Sequence, residues 1–513
     1  MTLCSGSSAA FSADGRALFY VAADATRRPA RWLRHALGTD PAGDALVYAE
    51  PDPMFELQLA RSRSGAYVFA TSRSTTTTEV RFVRADRPDM PPVLVEPRAD
   101  GHEYHAHDGG DGLYIRTNAG APNFRLVRAG FDAPGRDGWV EVVPERADVV
   151  LDGVQLFARH AVLREREDGV PGLRIVDLAT RGATVVAMAE PLRALSDQPN
   201  PDFAARSFRY AYESPITPTT IIEVDLSSGR TTVLKTTEVI GHERDRYTAT
   251  REHAVAGDGT RIPLTIVRRT DTPLGGASPM LLYAYGAYGW PVDDGFSSDL
   301  FSLLDRGVVY AVAHVRGGGE FGARWHEGGR LLCKRNTFTD FVASAEHLVA
   351  RGYAARDRLV VHGLSAGGLT IGAAVMMRPD LFCAAVAQAP FVDVTNTMLD
   401  PTLPGTAVDY GEWGDPSRKE YYDYITGYSP YDTIAARAYP PFLVTTAIHD
   451  GQVPCWIPAT FVAKLRATRT DDVPDLLCVN LGPGGHMGAT GLRDRIADEA
   501  LRYAFVLTHV GRA

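Results

Sequence analysis

Residues 358–368 read Arg-Leu-Val-Val-His-Gly-Leu-Ser-Ala-Gly-Gly. Leu359, Val360 and Val361 form a continuous apolar run with β-branched members, the pattern of a strand buried on both faces. Gly363-Leu364-Ser365-Ala366-Gly367 fits G-x-S-x-G, and an apolar helical segment runs on through Met377 until Arg378-Pro379 stops it. Strand, five-residue turn and helix form the context in which this motif carries chemistry. The flanking glycines let strand and helix approach each other, and the turn lifts the serine hydroxyl clear of the sheet. An oxygen held there is open to a base and to a substrate carbonyl.

Around this stretch strand alternates with helix. Residues 280–285, 308–313, 384–387, 442–447 and 477–481 are short apolar strands, and residues 338–350 are helical, with Phe341, Ala345 and Leu348 on one face. A last helix is expected over 494–508. Ahead of them, the tight turn at 257–260 leads into 261–268, an antiparallel edge hairpin arm. The alternation predicts a mostly parallel sheet covered by helices on both faces. Catalytic groups in such sheets gather beyond the carboxyl ends of the strands.

Two candidate partners of Ser365 follow strands. Asp450 lies in Ile448-His449-Asp450-Gly451, and His486 lies in Gly482-Pro483-Gly484-Gly485-His486-Met487-Gly488. A glycine-flanked histidine is often only a surface residue, and Asp-Gly is often only a turn. The chain order of serine, aspartate and histidine is nevertheless that of α/β-hydrolases. His486 would take the hydroxyl proton and return it to the leaving group, while Asp450 would fix the imidazole tautomer. His449 is adjacent to the presumed acid, and His509 lies in the last helix without a glycine loop, so both are weaker bases. The N–H of Ala366 is the expected first oxyanion donor. The second should come from Tyr285-Gly286-Ala287-Tyr288-Gly289, through either tyrosine hydroxyl or a backbone amide; spacing alone leaves these open.

Residues 1–245 are of another kind. Strands beginning at 17, 66, 112, 154 and 207 are each followed by a companion, beginning at 32, 80, 124, 173 and 220. A repeat near 40–50 residues with several strands per unit predicts β-propeller blades, five of them visible. An irregular β-sandwich would need no such period. The expected organisation is a propeller lid over 1–245 and a catalytic domain over 246–513.

Composition narrows the function. With 53 basic and 62 acidic residues among 513, the net charge is −9, which argues against a nucleic-acid footprint. Cys4, Cys333, Cys383, Cys455 and Cys478 are scattered without C-x-x-C spacing, so neither a disulfide scaffold nor a zinc site is expected. No cofactor and no metal are indicated. The start of the chain lacks a basic, apolar leader, and no apolar run approaches the roughly 18 residues of a membrane span. A cytoplasmic location is the simplest expectation, with no membrane partner. Oligomeric state is not readable.

The stretch from Tyr283 to the end resembles the prolyl oligopeptidase family, and within it oligopeptidase B. The resemblance rests on Tyr285-Gly-Ala-Tyr-Gly, Ser302-Leu-Leu-Asp-Arg-Gly, Ala313-His-Val-Arg-Gly-Gly-Gly-Glu, Asn336-Thr-Phe-Thr-Asp-Phe, Met377-Arg-Pro-Asp-Leu-Phe, Pro390-Phe-Val-Asp-Val, Tyr428-Ser-Pro-Tyr-Asp and Val462-Ala-Lys-Leu-Arg. It continues more weakly at Arg34-His-Ala-Leu-Gly-Thr-Asp and Tyr114-Ile-Arg-Thr-Asn. It implies serine peptidases of short peptides, with a seven-bladed propeller capping an α/β-hydrolase domain. It also implies Ser365, Asp450 and His486 as the triad and Tyr285 as the oxyanion tyrosine.

Three departures qualify the resemblance. Oligopeptidase B recognises arginine or lysine with two glutamates in Glu-x-Glu-Glu-Trp-Gly; here the segment reads Asp409-Tyr410-Gly411-Glu412-Trp413-Gly414. One acid is shortened and the next is glycine, which removes a bidentate cage. An acidic pair in the tyrosine loop corresponds to Asp293-Asp294-Gly295, with altered spacing. Asp409, Glu412 and Asp293 are therefore the candidate substrate-binding residues. The five repeats match the family's last five blades, so the ring is open, closes with five, or belongs to an N-terminally incomplete product. The leading expectation is a serine oligopeptidase acting through an acyl-enzyme. The alternatives are an esterase or acyltransferase on the same triad, and a catalytically impaired paralogue left with a binding role.

Overall fold

The computed structural model describes residues 8–511. The first half forms five successive four-stranded antiparallel sheets. The first comprises Ala9–Phe11, Ala17–Ala23, Pro29–Ala36 and Ala45–Ala49; the others span 56–94, 104–143, 149–185 and 194–236. Alternation along each strand sends successive side chains to opposite faces. In the third sheet, Leu113 and Ile115 pack with Phe69 and Phe82 of the second, while Tyr114 between them packs with Leu151 and Leu163 of the fourth. Similar shared cores join the first sheet to the second through Trp32 and Leu57, and the fourth to the fifth through Phe157 and Phe208. Apolar burial between neighbours replaces a single central core, as in a propeller.

The repeats recognised in the sequence are the second and third strands of these sheets. In the fourth sheet one strand escapes the sequence pattern: residues 154–159 cover the end of the first strand, Val149–Leu156, and the turn after it, and the second strand is His160–Glu167. With that correction the second strands start at 17, 67, 113, 160 and 207, a more even repeat. His160–Glu167 hides behind its charges, because Arg164, Glu165 and Arg166 are paired rather than solvated.

The second half is built on an eight-stranded sheet: β1 (Tyr247–Val255), β2 (Arg261–Arg269), β3 (Met280–Tyr283), β4 (Val309–Ala313), β5 (Leu359–Leu364), β6 (Ala384–Gln388), β7 (Phe442–Ala447) and β8 (Leu476–Asn480). The spatial order is β1-β2-β4-β3-β5-β6-β7-β8. β2 pairs antiparallel with β1 and β4, and all later pairs are parallel. The arm expected at the edge is thus second from it, and β1 forms the edge. On one face Leu282, Val361, Ala385 and Val444 pack under helices that include Arg335–Ala350, Ala366–Met377 and Trp456–Thr468. On the other, Leu281, Val360, Val386 and Leu443 meet Phe505 and Val506 of helix Leu492–His509. Cys333, Cys383, Cys455 and Cys478 are free thiols, and Cys4 lies outside the described residues.

Candidate active site

Ser365 sits between β5 and helix Ala366–Met377 with φ 58° and ψ −120°, a conformation that a non-glycine residue adopts at a cost. Its surroundings fix it there. The Ser365 N–H donates to Gln388 O at 2.8 Å at the end of β6, and its carbonyl accepts from Gly368 and Phe391 N–H. The glycines of the motif are required by proximity. A Cβ on Gly363 would lie 2.1 Å from Gly367 O, and one on Gly367 would lie 2.6 Å from Ala284 O. The nucleophile helix therefore touches the loop that follows β3. Thr370 Oγ1 reinforces the contact by donating to Tyr285 O at 2.8 Å.

That loop carries the tyrosines left open by the sequence. Burial raises the Tyr285 phenol, and neighbouring Tyr283, Glu412 and Asp409 raise it further, while Ser365 acts on it in the opposite sense. The phenol is neutral and retains its proton for donation. Tyr288 points elsewhere: its hydroxyl donates to Asp409 Oδ2 at 3.2 Å and accepts from Trp413 Nε1 at 3.3 Å. Of the two tyrosines, Tyr285 is the one beside Ser365. Ala366 opens the helix, so its N–H is among those without an intrahelical acceptor.

Asp450 follows β7, and its side chain is fully buried. Its Oδ1 accepts from the N–H groups of Gln452 at 2.8 Å and Val453 at 2.9 Å, and its Oδ2 faces His486 Nδ1 at 2.8 Å. His486 occupies the tip of a hairpin whose strands are Gly484–Gly485 and Gly488–Ala489. Gly488, at φ 88°, permits the tight reversal. With Nδ1–H directed at the carboxylate, Nε2 is left to act as the base. The rival bases are placed away from this role: His509 Nδ1 bonds to Phe505 O, and His449 is not the residue bonded to Asp450.

The expected substrate-binding acids separate into three environments. Asp409, on helix Thr406–Trp413, is pushed up to about 7 by burial, reinforced by the charge of Glu412. Glu412, expected to meet substrate, instead has both oxygens occupied. Oε2 accepts from His326 Nε2 at 2.6 Å and Oε1 accepts from Tyr288 N–H at 3.0 Å, with Lys334 Nζ 3.9 Å away. It is fully buried and braces the tyrosine loop; Lys334 completes that brace through Gly286 O at 2.5 Å. Asp293 accepts from Arg166 of the fourth propeller sheet at 2.6 Å, a bond between the two halves of the molecule. Asp294 is paired with Arg251. Only Asp409 is left without a cationic partner.

His326, Lys334 and Thr75 were not singled out in the sequence, and no motif marks them. Their roles depend on contacts across 48 to more than 300 positions. Thr75, from the second propeller sheet's connection, abuts Gly411. Among the described residues no group of acids, histidines or cysteines is arranged to hold a metal ion, and no helix is long and apolar enough to cross a membrane.

Both halves of the chain are similar to known proteins. Residues 294–513 match the prolyl oligopeptidase family, and residues 1–237 match the prolyl oligopeptidase N-terminal β-propeller domain. Dipeptidyl aminopeptidase BI of Pseudoxanthomonas mexicana is 42% identical over 506 residues, covering 98% of this chain and 70% of that protein. Protease 2 of Moraxella lacunata is 36% identical, covering 97% and 71%. Oligopeptidase B from Leishmania major superimposes with a TM-score of 0.95 at 34% identity, over 98% of this chain and 72% of the other. Oligopeptidase B from Trypanosoma brucei, in a closed form with covalently bound antipain, gives 0.95 at 35%, over 98% and 73%. The chain belongs to the prolyl oligopeptidase family of serine peptidases.

Proposed function

We propose that the chain is an oligopeptidase in which Ser365 is the nucleophile, His486 the general base and acid, and Asp450 its orienter. Ser365 Oγ adds to the scissile carbonyl as its proton passes to His486 Nε2. The oxyanion is received by the Tyr285 hydroxyl and the Ala366 N–H. Collapse breaks the C–N bond, the imidazolium returns its proton to the departing amine, and water then repeats the sequence to release the acyl product. The observation that carries this reading is the Asp450–His486 bond, made beyond the ends of β7 and β8, on the same sheet margin as the Ser365 turn. Ser365 Oγ and His486 Nε2 are not hydrogen-bonded to each other here, a contact that commonly tightens only around substrate.

Asp409 supports a P1 pocket with one titratable carboxyl rather than two. Such a pocket takes a cationic side chain through a single ion pair and tolerates uncharged ones. Short peptides are the substrate class. The name of one relative adds removal of N-terminal dipeptides as a mode, which product analysis separates from internal cleavage. A fluorophosphonate probe should label the protein at Ser365, and peptides of graded length should be cleaved. Absence of labelling and of cleavage would overturn the assignment. Hydrolysis of acyl esters without any peptide cleavage would transfer it to an esterase.

A further inference from the structure

The propeller contains a cavity of about 220 Å³ bounded by the third, fourth and fifth sheets. His105, His107 and Arg116 line it from the third sheet, with Asp152, Gln155 and Arg164 from the fourth. His105 and His107 are two residues apart on one strand and share its face, and His105 lies opposite Arg116 in the register.

Arg116 and Arg164 share this cavity with Asp152 and Asp197, but the ion pairing among them is uneven. Arg164 is met by Asp197 at 3.4 Å, and Asp152 by Arg166 at 3.0 Å. Arg116 has no carboxylate within ion-pair distance among the described residues. It donates to Leu151 O at 2.8 Å and lies 3.9 Å over the Phe124 ring, with Glu103 and Asp152 acting on it only from a distance. A half-buried guanidinium without an ion-pair partner has donors to spare. The two imidazoles beside it are held neutral by burial and by Arg116, His105 down to about 3 and His107 to about 4. Among the described residues neither makes a side-chain hydrogen bond, so each offers a ring N–H that adds no repulsion to the guanidinium. One permanent cation with two neutral donors on one wall is a receptor for a carboxylate.

The cavity is also connected to the catalytic half. Asp152, on its wall, shares Arg166 with Asp293, and Asp293 belongs to the loop that begins at Tyr285. At the other end of the same strand, Leu156 O accepts from Arg63 at 2.8 Å, and Asp202 O accepts from the same guanidinium at 3.3 Å. A peptide at Ser365 with a cationic residue toward Asp409 would carry its negative terminus away from that acid. Of the two arginines lining the cavity, Arg116 is the one without an ion-pair partner among the described residues.

We propose that this cavity is a subsite for the free α-carboxylate of an oligopeptide bound at Ser365, gripped by Arg116 with His105 and His107. The proposal rests on the peptidase reading above. It makes the propeller a gauge of substrate length, since the gain from the carboxylate is realised only when the chain spans the distance from the serine.

The test uses the full chain carrying Ser365→Ala and a ladder of peptides of two to twelve residues, each prepared as the free acid and as the C-terminal amide. Calorimetric titration should show the acid binding at least tenfold more tightly than the amide over a narrow band of lengths and equally outside it. Arg116→Gln should abolish the difference, and His107→Ala should reduce it. An amide ending in glutamate distinguishes a side-chain carboxylate from the terminus: equal rescue would reassign the site to acidic side chains and overturn the length gauge. Acid and amide binding alike at every length would overturn the subsite, and that comparison needs no propeller variant to fold. Binding without any hydrolysis by the unsubstituted chain would instead count against the peptidase reading.

Discussion

Thr75 of the propeller occupies the space that a side chain at position 411 would need: a Cβ on Gly411 would lie 2.2 Å from Thr75 Oγ1 and 2.7 Å from its Cβ. The glycine in the acidic segment is therefore more than a lost carboxylate. It lets a propeller residue stand against the helix that carries Asp409, so the propeller forms part of the surroundings of that acid. Arg330 secures the same point by donating to Gly411 O at 2.7 Å.

Restoring an acid here should fail on steric grounds before charge is felt. Gly411→Glu is expected to lower kcat/KM for cationic and uncharged P1 substrates alike, because the propeller must retreat from the helix. Thr75→Gly in the same chain should recover part of the loss and then favour a cationic P1. Contacting positions typically couple by about 0.5–3 kcal/mol. A double-mutant cycle on kcat/KM checks this, and strictly additive effects would mean that the two positions do not meet.

Asp409 should impose a pH dependence on selectivity. Its carboxyl is raised to about 7, so it is neutral below that pH and anionic above it. The ratio of kcat/KM for P1 arginine over P1 citrulline should rise by about tenfold from pH 6 to pH 8, following the ionised fraction. Any ionisation that affects both substrates equally divides out of the ratio. Asp409→Asn should flatten the ratio, whereas a ratio already constant in the parent chain would remove Asp409 from the P1 site.

The chemistry of the site was more legible in the sequence than its access. The Ser365 turn, Asp450 and His486 are each marked locally, by glycines and by the ends of apolar strands, since their positions follow from sheet topology. Nothing near Glu412 in sequence announces His326 and Lys334, which meet it only after folding and make it an internal brace. Asp293 likewise carries no local sign of Arg166, which lies in the other half of the chain. The strand His160–Glu167 is hidden for a related reason: its charges are satisfied across neighbouring strands, so it lacks the apolar alternation of its equivalents. Gly411 is the clearest instance, because a glycine shows what is missing and never what fills the space.

Tyr285 can be separated from the other contributors by a single atom. Tyr285→Phe removes the hydroxyl and leaves the ring and the Thr370 bond to the backbone carbonyl. Loss of one oxyanion donor costs roughly 10²–10³ in kcat, and KM should change little because the donor acts where charge develops. Stability should remain near that of the parent chain. A fall in KM-dependent terms alone would assign Tyr285 to substrate binding rather than to the oxyanion.

Asp450 offers a sharper dissection, because its two oxygens have separate tasks. Oδ1 holds the Gln452 and Val453 N–H groups, and Oδ2 holds His486 Nδ1. In Asp450→Asn the amide oxygen can keep the two backbone donors, which turns the NH₂ toward His486. The imidazole must then accept at Nδ1 and carry its proton on Nε2, where it cannot take one from Ser365. The expected fall in kcat is about 10⁴, with the melting temperature nearly unchanged. Asp450→Ala removes the acceptor as well and strands two N–H groups, at about 1–3 kcal/mol of stability per unsatisfied buried group. Its melting temperature should therefore drop while its kcat falls at least as far. Comparing both variants by calorimetry and by single-turnover acylation separates the two tasks. Equal melting temperatures would show that the loop stands without the carboxylate, and full activity in Asp450→Asn would show that His486 does not take its tautomer from Asp450.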